Sequence, residues 1–291
     1  MVTQSQRLSN DTPILEHPIC AIDFETTGLN KNNLDRAIEI ALVRREPGGE
    51  IHAWSSLIKY SKSISWSAQK VHNIDNDMLI DAPDFASLYP QLKRYICGSV
   101  LIAHNSPFDM AFLHKECQLA AVPTPESVAI LDTLRIARAM LNLPRNSLIH
   151  LCHRVGLVPH SAHRAMNDAR NTLYFFVELL QSYPTSALTL SQLDTILTTH
   201  HSKGPFRTQI NKKIRALVKS PRDVEILYTS SDPNRPLYQK RIVTPIQTKE
   251  KYLKAYCHTR KAERKFRIAR IHDIVELPNP LESPDGSIPN G

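Results

Sequence analysis

Ala21-Ile22-Asp23-Phe24-Glu25-Thr26-Thr27-Gly28-Leu29 sets two acids inside a short apolar run and ends it with a Thr-Thr-Gly turn. The pattern spells a buried strand running into a sharp bend. Side chains alternate across a strand, so Asp23 and Glu25 share one face while Phe24 points to the other. Two carboxylates held together repel, and burying them unpaired is expensive. A bound cation resolves the conflict, and an all-oxygen site favours a hard one such as magnesium or manganese. An exposed strand end with two solvated acids is the other reading of this stretch, and acids elsewhere must decide between them.

Around that strand, residues 37–45 and 51–59 read as further strands separated by Pro47-Gly48-Gly49, which suggests an antiparallel meander. Helical spacing appears at 67–71 and 84–95, the latter with Phe85, Leu88, Leu92, Tyr95 and Ile96 on one side. Residues 100–103 read as a strand. Ser106-Pro107-Phe108-Asp109 then fits a helix start, with Ser106 as N-cap, Pro107 first in the helix, and Phe108, Phe112 and Leu113 as a core stripe. Another strand at 128–131 precedes helical segments at 133–141 and 147–155, the second ended by Gly156. After a loop at 157–162, a helix over about 164–182 closes the region. Strands first, then strands alternating with helices, predict a mixed α/β sheet flanked by helices.

Tyr183-Pro184-Thr185-Ser186 reads as a boundary, and a short amphipathic segment at 188–197 leads through His200-His201-Ser202-Lys203-Gly204-Pro205 into a second unit. There, 209–218 reads as a basic helix, and 224–229, 239–245, 252–257 and 265–271 as strands, a small and mostly β module. The last stretch, 278–291, is rich in Pro, Ser, Asn and Gly and is expected to be disordered.

Of the 291 residues, 42% are hydrophobic, enough for two cored domains and too much for a disordered chain. The polar start lacks a charged-then-apolar leader, and no apolar stretch is long enough to span a bilayer, so a soluble cytoplasmic protein without a membrane partner is expected. The five cysteines are widely spaced with no Cys-x-x-Cys pair, which argues for reduced structural thiols. The net charge of +8 is uneven: residues 1–200 hold 17 basic against 19 acidic residues, whereas 201–277 hold 19 against 7. Such asymmetry points the second unit at an anionic partner, most often nucleic acid, with a merely soluble basic domain as the bland reading.

Two later segments place acids in equally unusual settings. Asp109 opens a helix directly after an apolar strand, and Asp168 follows His163 at the start of the closing helix. Each alone is explained by helix capping or a polar helix face. Together with the first stretch, they resemble the three motifs of DnaQ-like exonucleases of the DEDDh group. The matches are Asp-x-Glu-Thr-Thr-Gly-Leu from Asp23, His-Asn-x-x-Phe-Asp from His104, and His-x-Ala-x-x-Asp-Ala from His163. The resemblance covers about residues 17–182 and implies a ribonuclease H-like mixed five-stranded sheet. It also implies that Asp23, Glu25, Asp109 and Asp168 hold two divalent metals, Mg2+ or Mn2+, with His163 as general base. Five helical steps leave His163 and Asp168 roughly 140° apart, so His163 is expected on the loop just before the helix. Ala165 and Ala169 are expected to let that helix approach the sheet closely.

Val71-His72-Asn73-Ile74 stands where relatives often have Val-His-Gly-Ile beside the terminal nucleotide, with Asn73 replacing Gly. The resemblance thus nominates Thr26, Thr27, Leu29, His72, His104, Asn105 and Phe108 for substrate contact. Residues 206–277 resemble a WYL domain, a small Sm/SH3-like β module. The match rests on Val224 to Tyr228, Arg241 to Pro245 and Tyr252 to His258, although Lys251 replaces the name-giving Trp. It nominates Tyr252, His258, Arg260, Arg264 and Arg267 for binding nucleic acid or a nucleotide-like effector. The domain plan is therefore an exonuclease at 17–182, a linker at 183–205, a WYL module at 206–277 and a tail. The function implied is a bacterial-type 3′→5′ exonuclease on single-stranded DNA. RNA or very short oligonucleotides as substrate, or a nonenzymatic nucleic-acid-binding regulator with an inactive nuclease fold, are the alternatives.

Overall fold

A computed structural model describes residues 11–28, 35–161, 163–183, 187–199, 205–232 and 234–277. Leu29, the turn residues 184–186, the approach 200–204 and the tail 278–291 lie outside the described residues. The chain divides into two compact units that meet between residues 198 and 199.

In the first unit, β1 (Ile19–Thr26), β2 (Ala37–Arg45) and β3 (Ile51–Leu57) form the expected meander. They are followed by α1 (Trp66–His72), α2 (Phe85–Ile96), β4 (Val100–Ala103), α3 (Ser106–Leu119), β5 (Ala129–Asp132), α4 (Thr133–Leu141), α5 (Leu148–Arg154), α6 (Ala165–Gln181) and α7 (Leu190–Thr199). The sheet order is β3-β2-β1-β4-β5, with β1 central, antiparallel to β2 and parallel to β4. This is the mixed five-stranded α/β sheet expected.

Strand alternation decides what each face of β1 does. Cys20, Ile22 and Phe24 enter a core with Leu42 of β2, Leu88 and Leu92 of α2, and Phe112 and Leu113 of α3. The opposite face carries Asp23 and Glu25, and α6 packs across it against β1 and β2. Ala165 and Ala169 are fully buried there, so α6 approaches through methyl groups as expected.

Several boundaries differ from the sequence reading for identifiable reasons. The expectation that Ser106 caps α3 is corrected: Ser106 is already helical, and Asn105 is the cap at φ 76°. Asparagine tolerates that left-handed backbone, which lets the chain turn sharply out of β4. Residues 188–199, placed in the linker from sequence, carry α7, with Leu190 and Leu193 buried and Leu188 accepting a hydrogen bond from Ile14 N at 2.9 Å.

The second unit comprises α8 (Pro205–Lys219), β6 (Val224–Thr229), β7 (Tyr238–Lys249), β8 (Tyr252–Cys257), β9 (Ala262–Arg267) and β10 (Ile271–Glu276). Its antiparallel sheet has the order β10-β6-β7-β8-β9. Ile210, Ile214 and Leu217 of α8 join Val224, Ile226, Val243, Leu253 and Phe266 in its core. The one strand expected at 265–271 is two strands joined by a 3-10 turn at Ile268–Arg270, so the strands number five. Apolar residues continue through the turn, which hides it from a reading based on alternation.

Glu116 of α3 is fully buried, and it binds Arg36 through two contacts of 2.8 and 2.6 Å while accepting from Ala37 N at 3.0 Å. It thereby fastens the start of β2 to α3. The Arg36 side chain remains 34% exposed, so its partners are unequal. Arg36→Ala is expected to cost about 3–5 kcal/mol by stranding a buried carboxylate, whereas Glu116→Gln, which leaves an arginine able to reach water, costs less. Urea unfolding of both variants checks the order; a larger loss for Glu116→Gln contradicts it.

Candidate active site

Three acids from β1 and α6 converge at the C-terminal end of the central strand. Ligand oxygens of Asp23, Glu25 and Asp168 lie within 4.8 Å of one another. Asp109, buried in the first turn of α3, approaches the same strand and accepts a hydrogen bond from Phe24 N at 3.2 Å. Burial, then repulsion from Asp109, Asp168, Glu25 and Glu39, pushes Asp23 well above the usual carboxylate range. Glu25 is pushed from an ordinary 4.5 to about 8 by burial, then by Asp168 and Glu39, while Arg164 opposes the shift. Burial likewise pushes Asp109 to about 8 against the hydrogen bond from Phe24, and it raises Asp168 against the His163 amide. The donor set is all oxygen, clustered and starved of counter-charge, which fits hard divalent cations.

His163 lies on the loop before α6, as expected, and its ring is exposed. Its backbone is left-handed at φ 67°, and its N–H donates to Asp168 Oδ2 at 2.9 Å. That bond ties the position of the imidazole to a carboxylate of the cluster.

Two residues not singled out from sequence complete the site. Glu39 lies directly across the sheet from Glu25 in the β1–β2 register, 3% exposed. Like charges so placed are destabilising. Arg164 answers it with Nη2 at 2.7 Å from Oε1 and Nε at 3.1 Å from Oε2, and Ala165 N donates to Oε2 at 3.1 Å. Glu39 therefore clamps the start of α6, fixing the loop that carries His163. The signal was present as an acid inside the apolar run Ala37-Ile38-Glu39-Ile40-Ala41, the same anomaly that marked Asp23.

The residues nominated for substrate contact are mostly committed to internal bonds. Thr26 Oγ1 donates to the Gly28 carbonyl at 2.7 Å, and Thr27 Oγ1 donates to Asp35 at 3.2 Å and accepts from Arg36 N at 3.1 Å. His72 is buried, its Nδ1 accepts from Ile74 N at 3.0 Å, and burial holds it below the usual imidazole range. His104 is also held low by burial; neutral, it donates from Nε2 to the Asn146 carbonyl at 3.1 Å and accepts at Nδ1 from Thr133 at 3.0 Å. Phe108 packs on Phe112 with centroids 5.0 Å apart. Asn105 is exposed beside the site, its N–H held by Asp132 at 3.0 Å.

In the second unit, Arg260 and Arg264 line a basic pocket with Arg241, Lys265, Tyr228 and Phe266. The other nominated residues lie elsewhere. His258 bonds Asp223 at 3.1 Å and Thr244 at 2.8 Å. Tyr252 pairs with Arg267 in the β8–β9 register, whereas the pocket's Arg264 pairs with the buried Ala255. Tyr252 and Arg267 thus share a face other than the one Arg264 occupies. Arg241 and Tyr228 escaped the sequence reading because strand pairing, and not local pattern, brings them to Arg264.

A carboxylate cluster at the end of the central strand of this mixed sheet, with a histidine poised on the adjoining loop, defines a nuclease of the ribonuclease H-like class. A family model described as Exonuclease matches residues 20–176, and one described as WYL domain matches 209–276. The chain belongs to the exonuclease family: its first unit is a DnaQ-like 3′→5′ exonuclease of the DEDDh kind, a family that uses divalent metals, and its second is a WYL domain. It is 37% identical over 163 residues to the DNA polymerase III subunit epsilon of Treponema pallidum, covering 55% of this chain and 75% of that one. It is 30% identical over 230 residues to the PolC-type DNA polymerase III of Thermotoga maritima, covering 77% of this chain but 17% of that protein. Among solved structures, the nuclease domain of 3′hExo, a DEDDh family member bound to rAMP, superposes with a TM-score of 0.52 at 19% identity, over 60% of this chain and 96% of that one.

The raised carboxyls make metal-free stability pH-dependent. Well below 3.8 each is protonated folded and unfolded; from about 3.8, where the unfolded aspartates ionise, to about 8 the unfolded chain releases protons that the folded site retains, so stability falls as pH rises. Chelator-treated protein is expected to lose Tm across that window, less so in Asp23→Asn, and saturating divalent cation should abolish the loss. A slope unchanged by Asp23→Asn contradicts the repulsion.

Proposed function

We propose that the first unit removes nucleoside monophosphates from the 3′ ends of single-stranded DNA with two Mg2+ or Mn2+ ions, and that the WYL unit holds the same strand. The observation that carries the proposal is the meeting of Asp23, Glu25 and Asp168 within 4.8 Å, beside Asp109 and next to His163. DNA is preferred because the relative that matches along most of its own length is named as a subunit of a DNA polymerase.

Asp23, Glu25, Asp109 and Asp168 are the residues that would hold the cations, with Asp23 at the centre of the repulsion. Bound there, divalent ions would offset the charge that builds on the phosphoryl and leaving oxygens and would acidify the attacking water. His163 accepts the proton of that water on its imidazole, acting as general base. The Asp168–His163 amide bond and the Glu39–Arg164 clamp hold the loop while the exposed ring turns to its task. Buried His72 and half-buried His104, both held below the usual imidazole range, shape the pocket wall without adding charge beside a polyanion.

The first unit, with slightly more acids than bases, attracts a polyanion weakly, whereas the pocket of Arg241, Arg260, Arg264 and Lys265 is suited to phosphates. A nucleotide-like effector in that pocket is the other reading of the WYL unit, since Tyr228 and Phe266 offer an aromatic wall to a base.

Asp23→Ala is expected to abolish hydrolysis and leave the fold intact, because it removes repulsion along with a ligand. His163→Ala is expected to lower the rate by about 10²–10⁴-fold while metal binding persists. Near wild-type activity in the first variant, or lost metal binding in the second, contradicts the assigned roles; digestion of labelled single-stranded DNA, duplex DNA and RNA side by side settles the substrate. Charge reversal at Arg260 and Arg264 in the full chain is expected to weaken binding of long strands and flatten its salt dependence, by about 0.7 in slope for each phosphate no longer neutralised. Unaltered affinity and slope refute strand holding by this pocket.

A further inference from the structure

Helix α1 presents an indole to solvent. Trp66 is 73% exposed at the first residue of the helix, and Lys70 Nζ sits 5.0 Å from its ring centroid. Residues four apart lie about 40° apart around a helix and residues two apart about 200°. Trp66 and Lys70 therefore share the outward face, while Ala68 packs inward on Ile64, Ile74 and Leu79 and His72 is buried. The exposure is a property of a fixed element. Ser65 Oγ accepts from Ala68 N at 3.3 Å, Asn76 Oδ1 accepts from Ile64 N at 3.1 Å and Gln69 Nε2 at 3.3 Å, and Asn76 Nδ2 donates to the Lys62 carbonyl at 2.7 Å.

Of Lys, Arg, Asp and Glu, α1 holds Lys70 alone. Lys70 is exposed, and among the described residues it forms no ion pair. An exposed aromatic ring with an amine against it is what a single strand binds, a base on the ring and a phosphate on the amine.

Helix α1 adjoins the active site. Six residues of helical rise, about 9 Å, separate Trp66 from His72. His72 in turn feels Glu39, Arg164 and the Thr26 backbone at the edge of the carboxylate cluster. That distance matches about three nucleotides of stacked strand.

We propose that Trp66 and Lys70 form a stacking subsite for an unpaired base a few nucleotides upstream of the 3′ end being hydrolysed, with Lys70 on the adjacent phosphate. It rests on the nucleic-acid reading of the site and adds a source of single-strand preference: a base inside a duplex has no free face for the indole. Duplex ends would have to fray before they engage α1.

The chain has two tryptophans, and the other, Trp54, is partly buried near Tyr95. The part of the fluorescence change that is lost in Trp66→Leu therefore reports on Trp66. Full-length Asp23→Asn protein with magnesium is titrated with a single-stranded DNA octamer, a blunt duplex and a dinucleotide. Quenching by the octamer alone is expected, and it should vanish in Asp23→Asn carrying Trp66→Leu, with Kd for the octamer raised about 5–100-fold, the range of a base–aromatic stack. In the active enzyme, Trp66→Leu is expected to raise KM for the octamer and leave kcat and dinucleotide hydrolysis unchanged. Equal quenching by the duplex, octamer affinity indifferent to Trp66→Leu, or an equal loss with the dinucleotide overturns the subsite. A Trp66-dependent change in self-association without any effect on octamer affinity overturns it in favour of a protein contact. Failure of the broader reading is separate: the wild-type enzyme then hydrolyses none of these substrates.

Discussion

Like-charge crowding at the end of β1 is the constraint on which the first unit is built. A strand buried on both faces is the worst place for Asp23 and Glu25, and Glu39 directly opposite in the register makes it worse. Each neighbouring element answers this problem. Helix α6 brings Asp168 yet crosses on alanine methyls, helix α3 turns Asp109 onto a backbone N–H, and Arg164 neutralises Glu39 from the same turn that carries His163. Relief of that repulsion is what a bound cation would supply.

Much of the first unit was legible because its chemistry violates its own pattern. Acids in apolar strands are rare enough that Asp23 and Glu25 announce themselves, Asp109 and Asp168 were reached through motifs at helix starts, and the order of strands and helices follows from periodicity. Glu39 broke the same rule but passed as an ordinary strand residue, because only the β1–β2 register shows that it faces Glu25. The roles of Thr26, Thr27, His72 and His104 were hidden for a related reason. Motif position nominates them for the substrate, but hydrogen bonds to Gly28, Asp35, Ile74 and Asn146 engage Thr26, Thr27, His72 Nδ1 and His104 within the fold.

In the second unit the sheet was legible as a small β module, but its pocket was not. The resemblance to a WYL domain nominated the arginines after residue 258 as a group. The β8–β9 pairing separates Arg264 from Arg267 by strand alternation, and Arg241 and Tyr228 enter from strands distant in sequence. Positive charge was therefore easier to predict than its arrangement.

The hydrogen bond from Ile14 to Leu188, with the bridge from Pro13 to Thr189 beside it, means that the nuclease unit is entered and left at neighbouring points. A body whose two ends are stitched together in this way can be set into a loop of a larger host without prising the host apart. Asp23, Glu25, Asp109, His163 and Asp168 all lie between the stitched ends. The unit is thus suited to travel as a cassette.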